Sequence, residues 1–200
     1  MRILVFSDIH GDLAALNRLM EIDADYYIAA GDLVNWARGL AALGPVLQRR
    51  APQVYVLPGN HENESHIGEF CREFGLHPLH GRSFQAGHYH VAGLGHSNPT
   101  PFNTPGEYSE SEIAARLAPF ATLDPLVLVC HCPPLNTPLD RAAPGRHFGS
   151  SAVHDFLMAH PPRWFLCGHI HEAAGTRTAF GNTQAVNAGK QGFLLELPDA

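Results

Sequence analysis

The chain has 200 residues, of which 45% are apolar and 16% charged; this suits a folded protein with a sizeable core and excludes a disordered or fibrous one. Its net charge of −6 argues against general nucleic-acid binding through a basic surface, although a nucleotide held beside metal ions stays compatible. No apolar run approaches the roughly 20 residues that cross a bilayer, so no membrane partner is expected.

In chain order, Ile3-Leu4-Val5-Phe6 predicts a buried strand that follows Met1-Arg2 directly and is too short for the apolar core of a secretory signal. Asp8-Ile9-His10 comes next, and Asp12 is placed to cap a helix with Leu13, Leu16, Leu19 and Met20 at helical spacing. A second strand, Tyr26-Tyr27-Ile28, leads to Gly31-Asp32. The stretch from Trp36 to Arg50 carries Leu40, Leu43 and Leu47 in a helical pattern that Gly44-Pro45 should kink or divide. Val54-Tyr55-Val56-Leu57 predicts a third strand ending on Gly59-Asn60-His61-Glu62, before a helix over Glu64 to Phe74. Ser83 to Leu94 reads as a hairpin about Ala86-Gly87.

Ser109 and Glu112 form a capping box for a helix that reaches about Ala118. The strand Leu126-Val127-Leu128-Val129 precedes His131. Ser150 or Ser151 opens a helix that Pro161-Pro162 stops, and Trp164-Phe165-Leu166 runs into Gly168-His169-Ile170-His171. Three further strands close the chain, near 175–180, 184–186 and 192–197, with Gly181-Asn182 as a turn. Neither a repeat nor a linker divides the sequence. Residues 1–200 are therefore read as one α/β domain, a mixed sheet or pair of sheets covered by helices.

Five of the apolar runs end on residues that can bind a metal. Ligands of open α/β sheets gather at the carboxyl ends of buried strands, so these ends describe one site. In extended backbone, residues two apart share a side: Asp8 and His10 would face one centre while Ile9 packs inward, and His169 and His171 likewise around Ile170. Asp8, His10, Asp32, Asn60, His131, His169 and His171 are too many for one tetrahedral ion but suit two with a bridging carboxylate. Mixed imidazole, carboxylate and amide donors favour manganese, iron, zinc or cobalt over magnesium or calcium. Two divalent cations against two carboxylates leave a net positive centre, attractive to a phosphate. From the residues alone, His61 reads equally as a ligand or a catalytic group.

The cysteines, Cys71, Cys130, Cys132 and Cys167, have no framework spacing and read as buried thiols of a protein in the reducing cytoplasm. Cys130-His131-Cys132 is read as a strand end whose central residue points at the site. Two proline-rich loops, His96 to Gly106 and Pro133 to Gly149, flank ligand-bearing strands; a substrate-facing role and a plain surface role weigh evenly. Within them, Phe102 could stack on a base, although burial under its loop is the favoured expectation.

In order along the chain, Asp8-x-His10, Gly31-Asp32-x-x-Asn35, Gly59-Asn60-His61-Glu62, His131 before Pro133-Pro134, and Gly168-His169-x-His171 resemble the motif blocks of the calcineurin-like metallophosphoesterase superfamily. The compact size and Asn98-Pro99-Thr100-Pro101-Phe102 are similar to its small bacterial phosphodiesterase-like members. The resemblance implies a four-layer α/β/β/α sandwich with two central mixed sheets flanked by helices. It also implies two divalent transition metals, manganese first, with Asp8, His10, Asp32 and His171 around one and Asp32, Asn60, His131 and His169 around the other. A metal-bridging hydroxide would attack phosphorus, with His61 as the general acid or a stabiliser of the transition state and Asn35 and Glu62 in supporting roles. Asn187-Ala188-Gly189-Lys190 keeps only loosely the family's glycine-rich block before the last strands.

The expected activity is hydrolysis of a small, cyclic-nucleotide-like phosphodiester. A phosphomonoesterase or phosphoprotein phosphatase is the nearest alternative, and a non-catalytic protein-binding scaffold the alternative of another class.

Overall fold

The computed structural model describes residues 1–198. The first half alternates strand and helix: β1 (Arg2–Phe6), α1 (Leu13–Glu21), β2 (Tyr26–Ala30), α2 (Gly44–Gln48), β3 (Val54–Leu57), α3 (Glu64–Phe74) and the short β4 (His77–Pro78). Strands β1 to β4 pair in parallel, as right-handed crossovers through helices require, and the last strand of the chain adds an antiparallel edge. The second half contributes β5 (Arg82–Ala86), β6 (Tyr89–Leu94), α4 (Glu110–Leu117), β7 (Leu126–Cys130), a small hairpin of β8 (Arg141–Ala143) and β9 (Arg146–His147), α5 (Ser151–Ala159), β10 (Trp164–Cys167), β11 (Arg177–Phe180), β12 (Thr183–Asn187) and β13 (Phe193–Glu196).

Among the described residues the strand orders are β13-β1-β2-β3-β4 in one sheet and β11-β12-β10-β7-β6-β5 in the other. Both are mixed, and three apolar cores separate four layers. Leu16, Leu19, Leu43, Leu47 and Ile67 pack the first-half helices on the first sheet. Ile113, Leu117, Val153 and Leu157 pack α4 and α5 on the second. Ile3, Val5, Ile28, Val91, Val127 and Leu166 meet between the sheets. Strands apolar on both faces are what such burial demands, which is why the runs read as continuous rather than alternating. The structure thus has the expected α/β/β/α sandwich.

Caps form where the sequence places them. Asp12 accepts the Ala15 N–H at 2.9 Å, Ser109 and Glu112 complete a capping box, and Ser150 caps α5. Two local readings change. Leu13 points outward, because α1 turns Ala15, Leu16, Leu19 and Met20 to the core. The Trp36–Arg50 stretch is broken more deeply than a kink: Trp36 (φ +52°) and Ala37 (φ +53°) are left-handed, a single 3₁₀ turn covers Leu40–Leu43, and α2 begins with Gly44-Pro45. Proline suits a first helical turn, so it starts a helix rather than bending one.

His96 lies in neither a loop surface nor the metal site. Its ring is buried against His80 and Tyr108, with centroids 5.0 and 4.5 Å away. Burial lowers both imidazoles, His80 to about 4 and His96 to about 3. Since an unfolded histidine titrates near 6.5, the unfolded chain takes up protons that the native rings refuse. Their contribution is intact above about pH 6.5 and is lost as pH falls through 6.5 toward 4, at about 1.4 kcal/mol per pH unit for each ring. His96→Phe is expected to flatten the acid limb of stability by one such increment, measured as denaturant midpoints between pH 7 and 4. An unchanged slope would show that the ring is not held neutral by burial.

Candidate metal centre

Strands β1, β2 and β3 in one sheet and β7 and β10 in the other all deliver their carboxyl ends to one edge of the sandwich. The two sheets, and adjacent strand ends within the first, come close enough there that only small residues fit between them. A Cβ on Gly168 would lie 2.1 Å from Ser7 Oγ and 2.6 Å from Asp8 Oδ2, and one on Gly59 would lie 2.0 Å from Asp32 Oδ1. Gly59→Ala is therefore expected to destabilise the protein by about 1–3 kcal/mol and to displace Asp32. A loss of manganese affinity larger than the loss of stability, read by titration and by urea unfolding of the metal-free protein, is the check; an unchanged affinity would refute the assigned contact.

The pairs Asp8/His10 and His169/His171 do share a side, but not because the backbone is extended. Asp8 (φ +60°), His10 (φ +49°), Asp32 (φ +51°) and His169 (φ +68°) all occupy the left-handed region, and His171 begins a 3₁₀ turn. Each such residue costs about 1–2 kcal/mol, and clusters of them mark functional sites. Ile9 and Ile170 are buried, as expected, on the other side of these turns.

All seven predicted ligand residues meet. Asp8, His10 and His171 form one group of donor atoms within 4.8 Å of one another, Asp32, His131 and His169 a second, and His10, Asp32 and His61 a third. Asn60 Oδ1 lies 3.1 Å from His131 Nε2 and 2.9 Å from His169 Nδ1. Asp32 stands between the groups, its Oδ2 3.8 Å from His10 Nε2 and 3.5 Å from His131 Nε2. His10 and His171 approach through their Nε2 atoms at 3.0 Å.

The chemistry of these donors fits cations. His131 Nδ1–H donates to the Ala30 carbonyl at 2.8 Å and His10 Nδ1–H to Asn35 Oδ1 at 2.8 Å, which turns an Nε2 lone pair inward in each ring. Asn60 donates its amide to Thr104 Oγ1 at 3.2 Å, so its carbonyl oxygen faces the same space. Lone pairs converging on one another need positive charge among them.

The electrostatics say the same. Burial alone would raise the Asp32 carboxyl, but the charge and hydrogen bond of His131 outweigh it and hold the acid far below its ordinary range. Burial would lower His131, yet Asp32 raises it to about 9, so without a metal a proton on Nε2 supplies the positive charge that a cation would bring. His169 is lowered to about 4 by burial and by His131, and His10 is lowered by burial, leaving both rings neutral and free to act as ligands.

Supporting groups are placed with equal economy. Glu62, fully buried, accepts the N–H groups of Asp32 (3.1 Å), Val34 (2.9 Å) and Gly59 (2.8 Å), tying two ligand loops together. Burial and the neighbouring Asp32 raise its acid to about 8. Asn187 has a part its sequence block did not reveal: its amide reaches the carbonyls of Gly168 (3.2 Å) and Ile170 (3.0 Å) and so fixes the turn that carries His169 and His171. Asp8 accepts the His169 N–H at 3.1 Å from the opposite sheet.

His61 occupies the edge of the centre. Its own N–H donates to Asp32 Oδ1 at 3.0 Å, and its ring stands edge-on to His10 with centroids 5.4 Å apart. The Trp36 N–H points at His61 Nδ1 across 3.4 Å and so orients the ring. That contact depends on the left-handed backbone at Trp36 and carried no signal in the sequence.

A cavity of about 340 Å³ opens over His10, His61, His169 and His171, with Asn98–Phe102 and Phe148 as its outer wall. The two proline-rich loops therefore face the centre in part. Phe102 is not buried as expected but 73% exposed, because its loop is filled by polar contacts rather than by its ring. His147 instead pairs with Asp140 at 2.7 Å, and Arg141 and Arg146 do not line the cavity. A larger recess of about 590 Å³ beside Glu64, His80 and Tyr108 contains none of the ligand residues. Cys130, Cys132 and Cys167 are buried free thiols, as read from the sequence, and burial raises Cys132 to about 12. Among the described residues, no helix is long and apolar enough to cross a membrane.

The sequence profile of calcineurin-like phosphoesterases matches residues 1–173. An uncharacterized protein of Methanocaldococcus jannaschii is 30% identical over 201 residues, covering 98% of this chain and 91% of that protein. Among solved structures, a phosphopantetheinyl hydrolase from Mycobacterium tuberculosis superposes with a TM-score of 0.67 at 18% identity, over 94% of this chain and 88% of that one. A dimetal phosphatase from Danio rerio gives 0.61 at 12% identity, over 93% and 86%. At these identities the structural likenesses speak to the fold.

Proposed function

This chain belongs to the calcineurin-like phosphoesterase family and is a metal-dependent phosphoester hydrolase, and on that premise we propose that it is a phosphodiesterase acting on a small diester such as a cyclic nucleotide. Asp8, His10, Asp32 and His171 would hold one divalent cation and Asn60, His131 and His169 the other, with Asp32 shared; manganese is the first choice for this donor set. Such a pair supplies charge to the phosphoryl oxygens and lowers the pKa of water toward neutrality.

The side chains do the rest. Asn35 and the Ala30 carbonyl hold His10 and His131 in the tautomers that leave Nε2 unprotonated. Glu62 fixes the spacing between the Asp32 and Asn60 loops. His61, in its imidazolium form, would pass a ring proton to the departing alkoxide and become neutral, and it takes its orientation from Asp32 and Trp36.

The observation that favours a diester over a monoester is the wall of the cavity, which among the described residues contains neither Lys nor Arg. A dianionic monoester would meet no extra cation there, whereas a diester carries one charge and two organic arms that suit uncharged walls. Protein reconstituted with manganese is expected to cleave bis-p-nitrophenyl phosphate with higher kcat/KM than p-nitrophenyl phosphate, to lose the activity with chelator and to regain it with manganese. Preference for the monoester would move the assignment to a phosphatase.

A further inference from the structure

Exposed large apolar side chains among the described residues are Leu13, Trp36, Phe102, Phe148 and Met158. Scattered singly, such residues need no explanation. Here Phe102 (73% exposed) and Phe148 (48% exposed) come from separate loops to the mouth of one cavity, and Trp36 stands beside it, its ring 5.8 Å from that of His61. Apolar rings gathered in the open around a polar centre mark a surface kept for a ligand.

The loops that carry these rings are held still. Glu107 accepts from Thr100 Oγ1 (2.6 Å), from the Thr104 N–H (2.8 Å) and from Thr104 Oγ1 (2.5 Å), so the turn bearing Phe102 is built around one carboxylate. Asp140 does the same for the other loop, accepting the N–H groups of Asn136 (3.1 Å), Thr137 (2.8 Å) and Gly149 (3.0 Å). Asn98 joins the two, donating to the Gly149 carbonyl at 3.2 Å and accepting the Cys132 thiol at 3.0 Å. Thr104 also receives the Asn60 amide, so the rim is tied directly to a residue of the metal centre. Rings carried on backbone fixed in advance have less freedom to lose when they meet a ligand than rings on a loose loop.

Resting on the reading of this site as a phosphoester centre, we propose that Phe102 and Phe148 form an aromatic rim that selects esters carrying a planar, uncharged aromatic group, a nucleobase or an aryl ring, while the metal centre takes the phosphate. Phenyl rings offer a π face and no hydrogen-bond code, so the rim favours flat groups without discriminating finely among them. Walls without Lys or Arg disfavour organic groups that bear further phosphates. A cavity of about 340 Å³ is at the low end of the roughly 300–1,000 Å³ of small-molecule sites, which suits one nucleoside-sized group.

Calorimetry of the manganese-loaded protein with phenylphosphonate and methylphosphonate tests this without turnover, since their carbon–phosphorus bonds are not ester bonds. Phenylphosphonate is expected to bind about tenfold or more tightly, and the preference should collapse in Phe102→Ala, Phe148→Ala or their combination. Both rings are exposed, so the variants keep the fold. Equal affinities in the unaltered protein, or a preference that survives the double variant, would overturn the rim. Bis-p-nitrophenyl phosphate hydrolysis by the same preparations reports separately on the diesterase reading: its persistence beside equal phosphonate affinities would remove the rim alone, and its absence beside a ring-dependent preference would remove the diesterase reading alone.

Discussion

His61→Gln is expected to lower kcat on a diester with an alkoxide leaving group by roughly 10²–10⁴-fold, the contribution of a well-placed general acid, while metal content stays unchanged. The reason is the ring's setting. Its Nδ1 faces the Trp36 N–H at 3.4 Å, which orients the ring, and its backbone is held by Asp32 Oδ1 at 3.0 Å. A glutamine keeps a hydrogen bond but cannot release a proton. The dependence on leaving group identifies the role. A p-nitrophenolate departs with little help, so the same variant should lose far less activity on bis-p-nitrophenyl phosphate than on a cyclic nucleotide. Equal losses on both would make His61 a stabiliser of charge rather than an acid. Because His61 also lies within 4.8 Å of the donor atoms of His10 and Asp32, a fall in bound manganese would instead make it a ligand.

Asp32→Asn is expected to reduce bound manganese from two equivalents toward one and to lower kcat/KM by more than the roughly 10–100-fold that loss of a supporting residue costs. The substitution keeps the shape and removes the charge of the side chain that stands between the two donor groups. Chelated protein gives an independent reading. Asp32 raises His131 to about 9, above the unfolded value near 6.5, so that pair contributes stability fully present below about pH 6.5 and lost as pH rises through 9. In chelated Asp32→Asn the loss between those limits should disappear, leaving a flatter alkaline limb in urea denaturation. Two equivalents of manganese retained in the variant would sink the shared position of Asp32.

Much of this was legible in the residues because it depends on local rules. Buried parallel strands must be apolar on both faces, so the runs ending at Phe6, Ile28, Leu57, Val129 and Leu166 stood out, and the polar residues just beyond them lay where such sheets place their ligands. The caps at Asp12, Ser109 and Ser150 are set by side chains reaching amides three residues away, a relation that sequence spacing contains. The candidate donor set followed from the same ends.

What the chain order could not contain is any contact between segments far apart in it. The left-handed backbone at Asp8, His10, Asp32 and His169 replaced the extended geometry inferred from a two-residue spacing, because these turns are stabilised by adjacent strand ends and, between Asp8 and His169, by the opposite sheet. Trp36 was read as helical for its periodicity, yet its amide serves His61. Phe102 was read as buried for its hydrophobicity, yet Glu107 satisfies its loop and leaves the ring outside. Asn187 looked like a remnant and proved to hold the His169–His171 turn. Sequence by itself determined the strands, the helix starts and the chemical identity of the centre, since these follow from burial, capping and donor type. Tertiary structure alone decided how those donors converge, how the His61 ring is oriented and which rings stand at the cavity mouth, since each rests on hydrogen bonds and packing between distant parts of the chain.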